Sequence, residues 1–508
     1  MPLSDFIAAV AAVLRRRPSD ILPMYVLGVA IPAIVRVVPF LAVVLAYLFL
    51  RTSGRLESIR TDAADLESPP NPETDPQAFD AWTTGIEPIL EQFAAPFIVA
   101  LVIATVILSF LLFVVLTSAV AAGQLSACYS RLRDNRGLPA GLDGARRYWL
   151  RFLGLFVLEF LCWVVALTVI GSGTVLLAGI ASFTGGSTTV AVPVVLIGGA
   201  IALIVLLVVR ALFAFAPVAV VVDDAGVFGS LRNTGGFIRE RPGGAVFYYL
   251  IALVTLAGTS IVAGVLSFAN VATIGSLASA LLVFPALDVL KTAIYCDHRG
   301  RLAPPSPPMR SLRDQIRTGL RHGWEEMRSF VRATPGTHAL VIVLGLVGFW
   351  AGWAATDPFV GTFEASITAR LDGRTPVTMA ANLFGNNWLV ALMTTYAGAA
   401  LVIPAIVSLL FNGVFLGIMA RLEVDPVELA AFVVPHGVFE IPAILVASAL
   451  GISVGVTAWR TWRGRESRTA LADALERAFW VLIGIGIVLA IAAIIEGFVS
   501  PYYYRLFL

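Results

Sequence analysis

Long apolar runs recur along this chain and restrict what it can fold into. Two of them, Pro96 to Gly123 and Phe152 to Ser182, each exceed the roughly 20 apolar residues that a helix needs to cross a bilayer. Only 13% of the residues are charged, about half the share found in ordinary soluble domains. Because backbone polar groups in lipid must bond to one another within the spanning segment, we predict an all-α fold, a polytopic transmembrane helical bundle.

About eleven apolar segments have the length of a spanning helix. In chain order they are Ile21 to Leu50, Pro96 to Gly123, Phe152 to Ser182, Thr188 to Val222, Ala245 to Phe268, Ala272 to Cys296, His338 to Ala355, Val377 to Gly398, Leu401 to Ala420, Val434 to Trp459 and Ala478 to Ser500. The basic segment between the sixth and the seventh suggests three domains: residues 1–297 with six helices, a cytoplasmic linker at 298–336, and residues 337–508 with five helices.

The charge of the loops predicts the orientation of the chain in a cell membrane. Arginine-rich loops stay in the cytoplasm. Arg15, Arg16 and Arg17 precede the first span, the loop 51–95 is acidic, and the loop after the second span is rich in arginine again. This alternation places the N-terminus in the cytoplasm, and eleven crossings place the C-terminus outside.

The linker at 298–336 contains a predicted amphipathic helix, from Ser311 to Val331. Its apolar residues recur at helical spacing, and arginines lie between them. The apolar residues are Leu312, Ile316, Leu320, Trp324 and Met327, and the arginines are Arg313, Arg317, Arg321 and Arg328. Two interpretations stay open: a helix that lies on the anionic inner leaflet, and a short surface helix packed on the bundle.

Polar residues inside the C-terminal spans are candidates for a functional site, because charges are unfavourable in lipid and usually face the interior of the bundle. His436 and Glu440 are four residues apart and share one face if the segment is helical. With Glu496 and the amides of Asn387 and Asn412 they could form one buried polar cluster.

Three interpretations of this cluster stay open. One imidazole and two carboxylates are an acceptable ligand set for zinc or iron. A proton or substrate relay would use His436 as the group that titrates near neutrality. A structural network would satisfy the ends of a helix broken near Pro435, Gly437 and Pro442, and this is the interpretation we favour from the sequence.

In the N-terminal half, five charged residues lie within or near apolar runs. Asp288 and Lys291 are three apart and predict a local ion pair. Glu159 could pair with either Arg36 or Arg210 on another helix, and the sequence does not decide between them.

Several classes of site are excluded or disfavoured by the sequence. There is no nucleotide-binding motif and no nucleophile motif, so we expect neither an enzyme nor a bound cofactor. A net charge of +2 gives no indication of a basic surface that binds nucleic acid. The scattered cysteines Cys128, Cys162 and Cys296 fit buried apolar positions better than a thiolate metal site.

The C-terminal half carries several short motifs: NLFGNN with Asn386 and Asn387, FNGVFLG with Asn412 and Gly413, PHGVFEIPA from Pro435 to Ala443, and AAIIEGFVSP. With these motifs, residues 334–508 resemble the stage II sporulation protein M family of integral membrane proteins. The resemblance implies a structural or scaffolding part in bacterial engulfment, with recruitment of peptidoglycan hydrolases. It does not imply an enzymatic activity. The six preceding spans are an addition to the family's pattern. They include DAGVFGSLRNTGGFIRERPG and resemble uncharacterised archaeal membrane domains.

These observations together predict a non-enzymatic scaffold or assembly protein of the plasma membrane. The expected partners are membrane lipid, proteins that bind the cytoplasmic basic loops, and a second copy of the chain. The alternative is a transporter or permease with a buried His/Glu site, and a more distant one is an intramembrane metalloenzyme.

Overall fold

The structure is a computed structural model, and it describes residues 2–64, 66, 70, 75–183, 188–357, 360, 375–423 and 426–503. In these residues the regular structure is helical, with no strands, so the predicted all-α fold is confirmed. The helices of the first 300 residues are α1 Leu3–Arg16, α2 Leu22–Val35, α3 Val37–Thr52, α4 Arg55–Ala64, α5 Pro76–Phe93, α6 Pro96–Arg131, α7 Gly137–Phe183, α8 Thr188–Val222, α9 Val227–Glu240, α10 Pro242–Phe268, α11 Ala272–Ala278 and α12 Phe284–His298. The later helices are α13 Leu312–Ala333, α14 Pro335–Thr356, α15 Pro376–Ala397, α16 Ile403–Leu422, α17 Pro426–Trp462, α18 Arg468–Phe498 and α19 Ser500–Tyr503.

Among the described residues, 10 helical segments are long and apolar enough to cross a membrane, so the chain is a multi-pass membrane protein. They correspond to ten of the eleven predicted spans. The remaining one, Val377 to Gly398, forms α15, a helix of 22 residues and therefore about 33 Å long. Its asparagines, Asn382, Asn386 and Asn387, lower its hydropathy, so length and composition support ten spans and not eleven.

The chain forms two compact units, and each is assembled from three separate stretches. The first unit comprises residues 1–28, 114–259 and 279–309, and the second comprises 29–113, 260–278 and 310–508. The predicted domain boundaries at 297 and 336 follow the order of the chain and stay a prediction.

In the first unit, Asp20 caps the N-terminus of α7 across a long stretch of sequence. Its carboxylate accepts hydrogen bonds from the backbone N–H of Gly137 (2.8 Å) and of Leu138 (3.1 Å). The guanidinium of Arg131, only 2% exposed, lies 3.7 Å from the same carboxylate. The turn between α6 and α7 is thereby tied to the segment that precedes α2.

Two neighbouring aspartates after α8 bind the loops and helix ends of the first unit. Asp223 accepts hydrogen bonds from Tyr295 (2.6 Å), Arg299 (2.6 Å) and Asn233 (2.9 Å). Asp224 pairs with Arg151 at 2.6 Å and also with Arg147, both on α7. The hydrogen bond from Arg151 is the main reason that the pKa of Asp224 is lower than that of an ordinary aspartate.

The ion pairs predicted inside the spans of the first unit are present. Lys291 lies 2.7 Å from Asp288, as the local spacing predicted. Arg210 on α8 pairs with Glu159 on α7 at 3.2 Å, which decides between the two candidate arginines. Arg36, in the second unit, lies over the ring of Phe411 at 5.6 Å.

In the second unit, α14 and α16 pack with their backbones in contact. A β-carbon at Gly352 would overlap the carbonyl oxygen of Val414, and one at Gly417 would overlap that of Phe349. At Gly413, which belongs to the FNGVFLG motif, it would lie 2.8 Å from the carbonyl oxygen of Gly345. Only glycine permits this approach, since real β-carbons keep a larger distance from such atoms.

The predicted linker helix is present as α13, and its two halves differ in burial. Its C-terminal half packs on α18, where Gly323 and Gly484 permit backbone contact and Met327 and Phe330 are buried. At its N-terminal end Leu312 and Ile316 are exposed. The four predicted arginines, Arg313, Arg317, Arg321 and Arg328, are exposed as well. The helix therefore packs on the bundle with one half and offers a basic and apolar surface with the other.

The break predicted at Pro435 is wrong. Helix α17 runs without interruption from Pro426 to Trp462 and contains both Pro435 and Pro442. Proline is tolerated inside membrane helices because neighbouring groups can satisfy the carbonyls that it leaves unbonded.

Candidate functional site

The polar cluster predicted from the sequence lies within the second unit, where three long helices meet. His436 and Glu440 are on α17, Glu496 is near the end of α18, and Asn387 is on α15. Because α17 is continuous, the two residues of the HGVFE segment project from the same face of one helix. The packing of α15 and α17 against α18 brings the other side chains to them.

The ligand-type atoms of His436, Glu440 and Glu496 lie within 4.8 Å of one another, one atom from each residue. The Nε2 atom of His436 is 3.8 Å from Oε2 of Glu496. Little solvent reaches the site, since the side chains of His436 and Glu496 are 7% and 12% exposed. Three titratable groups are therefore held together at low dielectric.

The imidazole of His436 is held in place through its other nitrogen. Its Nδ1 lies 3.1 Å from the hydroxyl of Ser500, which is fully buried on α19. The ring also bonds to the backbone of Phe432, one turn earlier on α17, and packs edge-on against the ring of that residue. This arrangement directs Nε2 toward the carboxylate of Glu496.

The two carboxylates differ in their partners. Glu440 bonds to the amide of Asn387 on the neighbouring helix. The Oε2 atom of Glu496 is buried and has no hydrogen-bond partner among the described residues. A buried carboxylate oxygen without a partner is unusual in a folded protein and indicates a missing proton, ion or water.

The structure does not place all the predicted motif residues in this cluster. Asn412 bonds to the carbonyl of Ser408 on its own helix at 2.7 Å. Asn386 is exposed, and its amide lies 3.4 Å from Oδ1 of Asn387. Gly413 lies at the contact of α14 with α16. Around a β-carbon at Gly437 there would be only the side chains of Val433 and Ile441, which are on the same helix.

Sequence reasoning missed Ser500 as a member of the site. Its signal was the spacing in AAIIEGFVSP, where Ser500 follows Glu496 by four residues and so falls on the same side of a helix. A serine at the end of an apolar segment is a weak indication of a site, as long as its contact with His436 is not known.

The surface hollows elsewhere among the described residues include the following two. One, of about 540 Å³, is entirely apolar and lies between α7 and α8. The other, of about 430 Å³, is lined by His322, Glu326, Arg477 and Trp480. His436, Glu440 and Glu496 line neither of them, so neither hollow opens onto the polar cluster.

Comparison with known proteins finds a family similar to the C-terminal part of the chain. Residues 338–501 match the family model of Stage II sporulation protein M, which confirms the resemblance for this part. The matched region includes the whole cluster, from Asn387 to Ser500. It does not extend to the N-terminal half, whose resemblance to archaeal membrane domains is not supported by the comparisons. No curated protein and no solved structure matches the chain.

Proposed function

We propose that this multi-pass protein is a non-enzymatic scaffold of the stage II sporulation protein M type in the plasma membrane. The observation that carries the proposal is the backbone contact between α14 and α16 at Gly352 and Gly417. Backbones this close cannot slide past one another without separating first, so the two helices behave as one rigid element.

Buried hydrogen bonds fix the other helices of the second unit in the same manner. Tyr396 on α15 donates to the carbonyl of Leu475 on α18 at 2.9 Å, and Thr395 donates to that of Ala447 on α17 at 3.0 Å. Trp388 donates to the carbonyl of Leu482 at 3.2 Å. A transporter needs a cavity at its polar site and bundles that rock against each other. A scaffold needs a rigid frame with surfaces for its partners.

The exposed half of α13 is the surface that suits such a partner. Arg313, Arg317 and Arg321 project beside Leu312 and Ile316, and a basic, amphipathic face binds either anionic headgroups or an acidic protein segment. We propose that α13 lies at the cytoplasmic leaflet and recruits a protein there.

The rigidity of the frame is tested by distance measurements between spin labels. Cysteines at the exposed positions Trp350 on α14 and Val438 on α17 would be labelled in a background without the three native cysteines. A scaffold gives one narrow distance distribution in liposomes across buffers of different pH and ion content. Two populations that exchange with these conditions would contradict the proposal and favour transport.

Recruitment is tested with a photo-crosslinking residue at Ile316 in the native cells. The proposal expects a discrete protein adduct that disappears when Arg313 and Arg317 are changed to glutamate, and that persists when the exposed Arg465, in another basic loop, is changed. An adduct of twice the mass of the chain would identify a homo-oligomer as the partner. Labelling of lipid alone would contradict recruitment.

A further inference from the structure

We infer that His436, Glu440 and Glu496 bind one divalent transition-metal ion, which ties α17 to α18 within the second unit. The inference goes beyond the proposed scaffold function, because the scaffold requires only a rigid frame and not a metal. It rests on the orientation of the histidine, on the unpartnered carboxylate oxygen and on the charge of the site.

The orientation of His436 leaves a lone pair that faces a carboxylate. Nδ1 of the ring lies 3.1 Å from the hydroxyl of Ser500, which accepts a hydrogen bond when the neutral imidazole carries its proton on Nδ1. Nε2 then presents its lone pair to Oε2 of Glu496 at 3.8 Å. Two acceptors that face each other in a buried site repel, unless a proton or a metal cation lies between them, and a separation of 3.8 Å is too long for a hydrogen bond.

The charge of the site leads to the same conclusion. Two carboxylates lie within 4.8 Å of each other, and in the part of the chain that the structure describes no lysine or arginine forms an ion pair with either of them. Buried charges in proteins are paired or coordinate a metal. A dication between Glu440 and Glu496 neutralises both and gives Oε2 of Glu496 the partner that it lacks.

The geometry suits a transition metal. Zinc binds histidine nitrogen and carboxylate oxygen at about 2.0–2.2 Å, which places tetrahedral ligands about 3.3 Å apart. The separation of Nε2 and Oε2 exceeds this by about half an ångström, and the ligand atoms of all three residues lie within 4.8 Å of one another, so rotations of both glutamate side chains would be needed to close the site. Imidazole combined with carboxylates suits zinc, manganese or iron in the divalent state.

The surrounding groups match those of a metal site as well. Histidine ligands normally hydrogen-bond through the second ring nitrogen to a fixed partner, which orients the ring. Ser500 and the backbone of Phe432 take that part here, and Asn387 orients Glu440. Three protein ligands leave one tetrahedral position for water.

The test is metal analysis of the full-length protein, purified in detergent with a tag that contains no histidine. The inference expects about one zinc, manganese or iron ion per chain by mass spectrometry. The variants Glu496→Gln and His436→Gln should each lower this content at least fivefold. The control His322→Gln changes an exposed histidine of the same unit and should leave the content unchanged.

A second measurement covers the case in which a variant folds poorly. Wild-type protein stripped with a chelator should melt at a lower temperature, and it should recover when zinc, manganese or iron(II) is returned. Cobalt(II) added to the stripped protein should give the visible absorption of a low-symmetry site, and Ser500→Ala should shift that spectrum. If stripped wild-type protein binds none of the four ions, or if Glu496→Gln retains the full metal content, the inference is overturned and the cluster is held together by protons.

Discussion

Gly352 and Val414 meet where α14 packs on α16, and a β-carbon on the glycine would overlap the carbonyl oxygen of the valine. A methyl group added at Gly352 would clash with the backbone of α16, which cannot rotate away as a side chain could. The contact offers the most direct test of the rigid frame.

We expect Gly352→Ala to destabilise the protein by about 1–3 kcal/mol, the usual effect of overpacking a tight contact. The measurement is the unfolding free energy in mixed micelles titrated with sodium dodecyl sulfate. Gly336→Ala is the matched control, because Gly336 is on the same helix and has no atom near its absent β-carbon. Equal midpoints for the two variants would show that α14 and α16 are not in backbone contact.

The ion pair of Arg210 with Glu159 should show strong coupling between its members. Replacing one partner, as in Arg210→Met or Glu159→Gln, leaves a charge without its partner within the span and should destabilise the protein by about 2–3 kcal/mol. The double variant should lose less than the sum of the two single losses, because it leaves no lone charge.

The same unfolding titration on all four proteins completes this cycle. Additive losses would mean that the two side chains do not interact in the bilayer.

The contribution of Asp224 to the stability of the folded protein should decrease at acid pH. The pKa of this carboxylate is lowered in the folded protein, so its contribution is fully present above the ordinary value of 3.8 and is lost as the pH falls through the lower folded-state value. Asp224→Asn lacks the contribution at every pH. The difference in melting temperature between wild type and variant should be about 2 °C at pH 6 and should vanish well below pH 3.8.

Asparagine is a suitable replacement because Asp224 has a positive φ of 54°, which asparagine also adopts readily. Asp5→Asn, in the first turn of α1, serves as the comparison. A difference that persists unchanged to the lowest pH would show that the ion pairs with Arg151 and Arg147 are not its source.

The number of crossings can be decided at the C-terminus. We expect α15 to cross the membrane, because the polar groups of Asn387 and Trp388 on it are bonded to neighbouring helices. A reporter active only outside the cell should then be active when fused after Leu508. A reporter fused at Arg465 should lie in the cytoplasm, in agreement with the arginines of that loop.

The opposite result for both fusions would mean ten crossings. It would also place the loop at Arg465 outside, against the distribution of basic residues.

Apolar length and local spacing predicted much of this structure. Ten spans, the pair of Asp288 with Lys291 and the shared face of His436 and Glu440 each depend on residues close in sequence, so periodicity was sufficient. Contacts between residues on different helices were harder to predict from the sequence. The choice of Arg210 over Arg36 for Glu159 depended on which helices are neighbours, and hydropathy does not encode that.

The errors have physical reasons as well. Pro435 was expected to end a helix, as in water, but α17 continues through it inside the bundle. The spacing of α13 identified its apolar face correctly, yet only the close contact of Gly323 with α18 shows that half of this face is covered by protein. A glycine gives no sequence signal of which backbone it approaches.

The bond between Asp20 and the start of α7 has a consequence for synthesis on the ribosome. Its acceptor is made 117 residues before the N–H of Gly137 that it binds. At the usual 5–20 residues per second, roughly 6–23 seconds pass between the synthesis of Asp20 and that of Gly137. During this interval the carboxylate of Asp20 is solvated by water, so a pause in translation before Gly137 would delay the capping of α7.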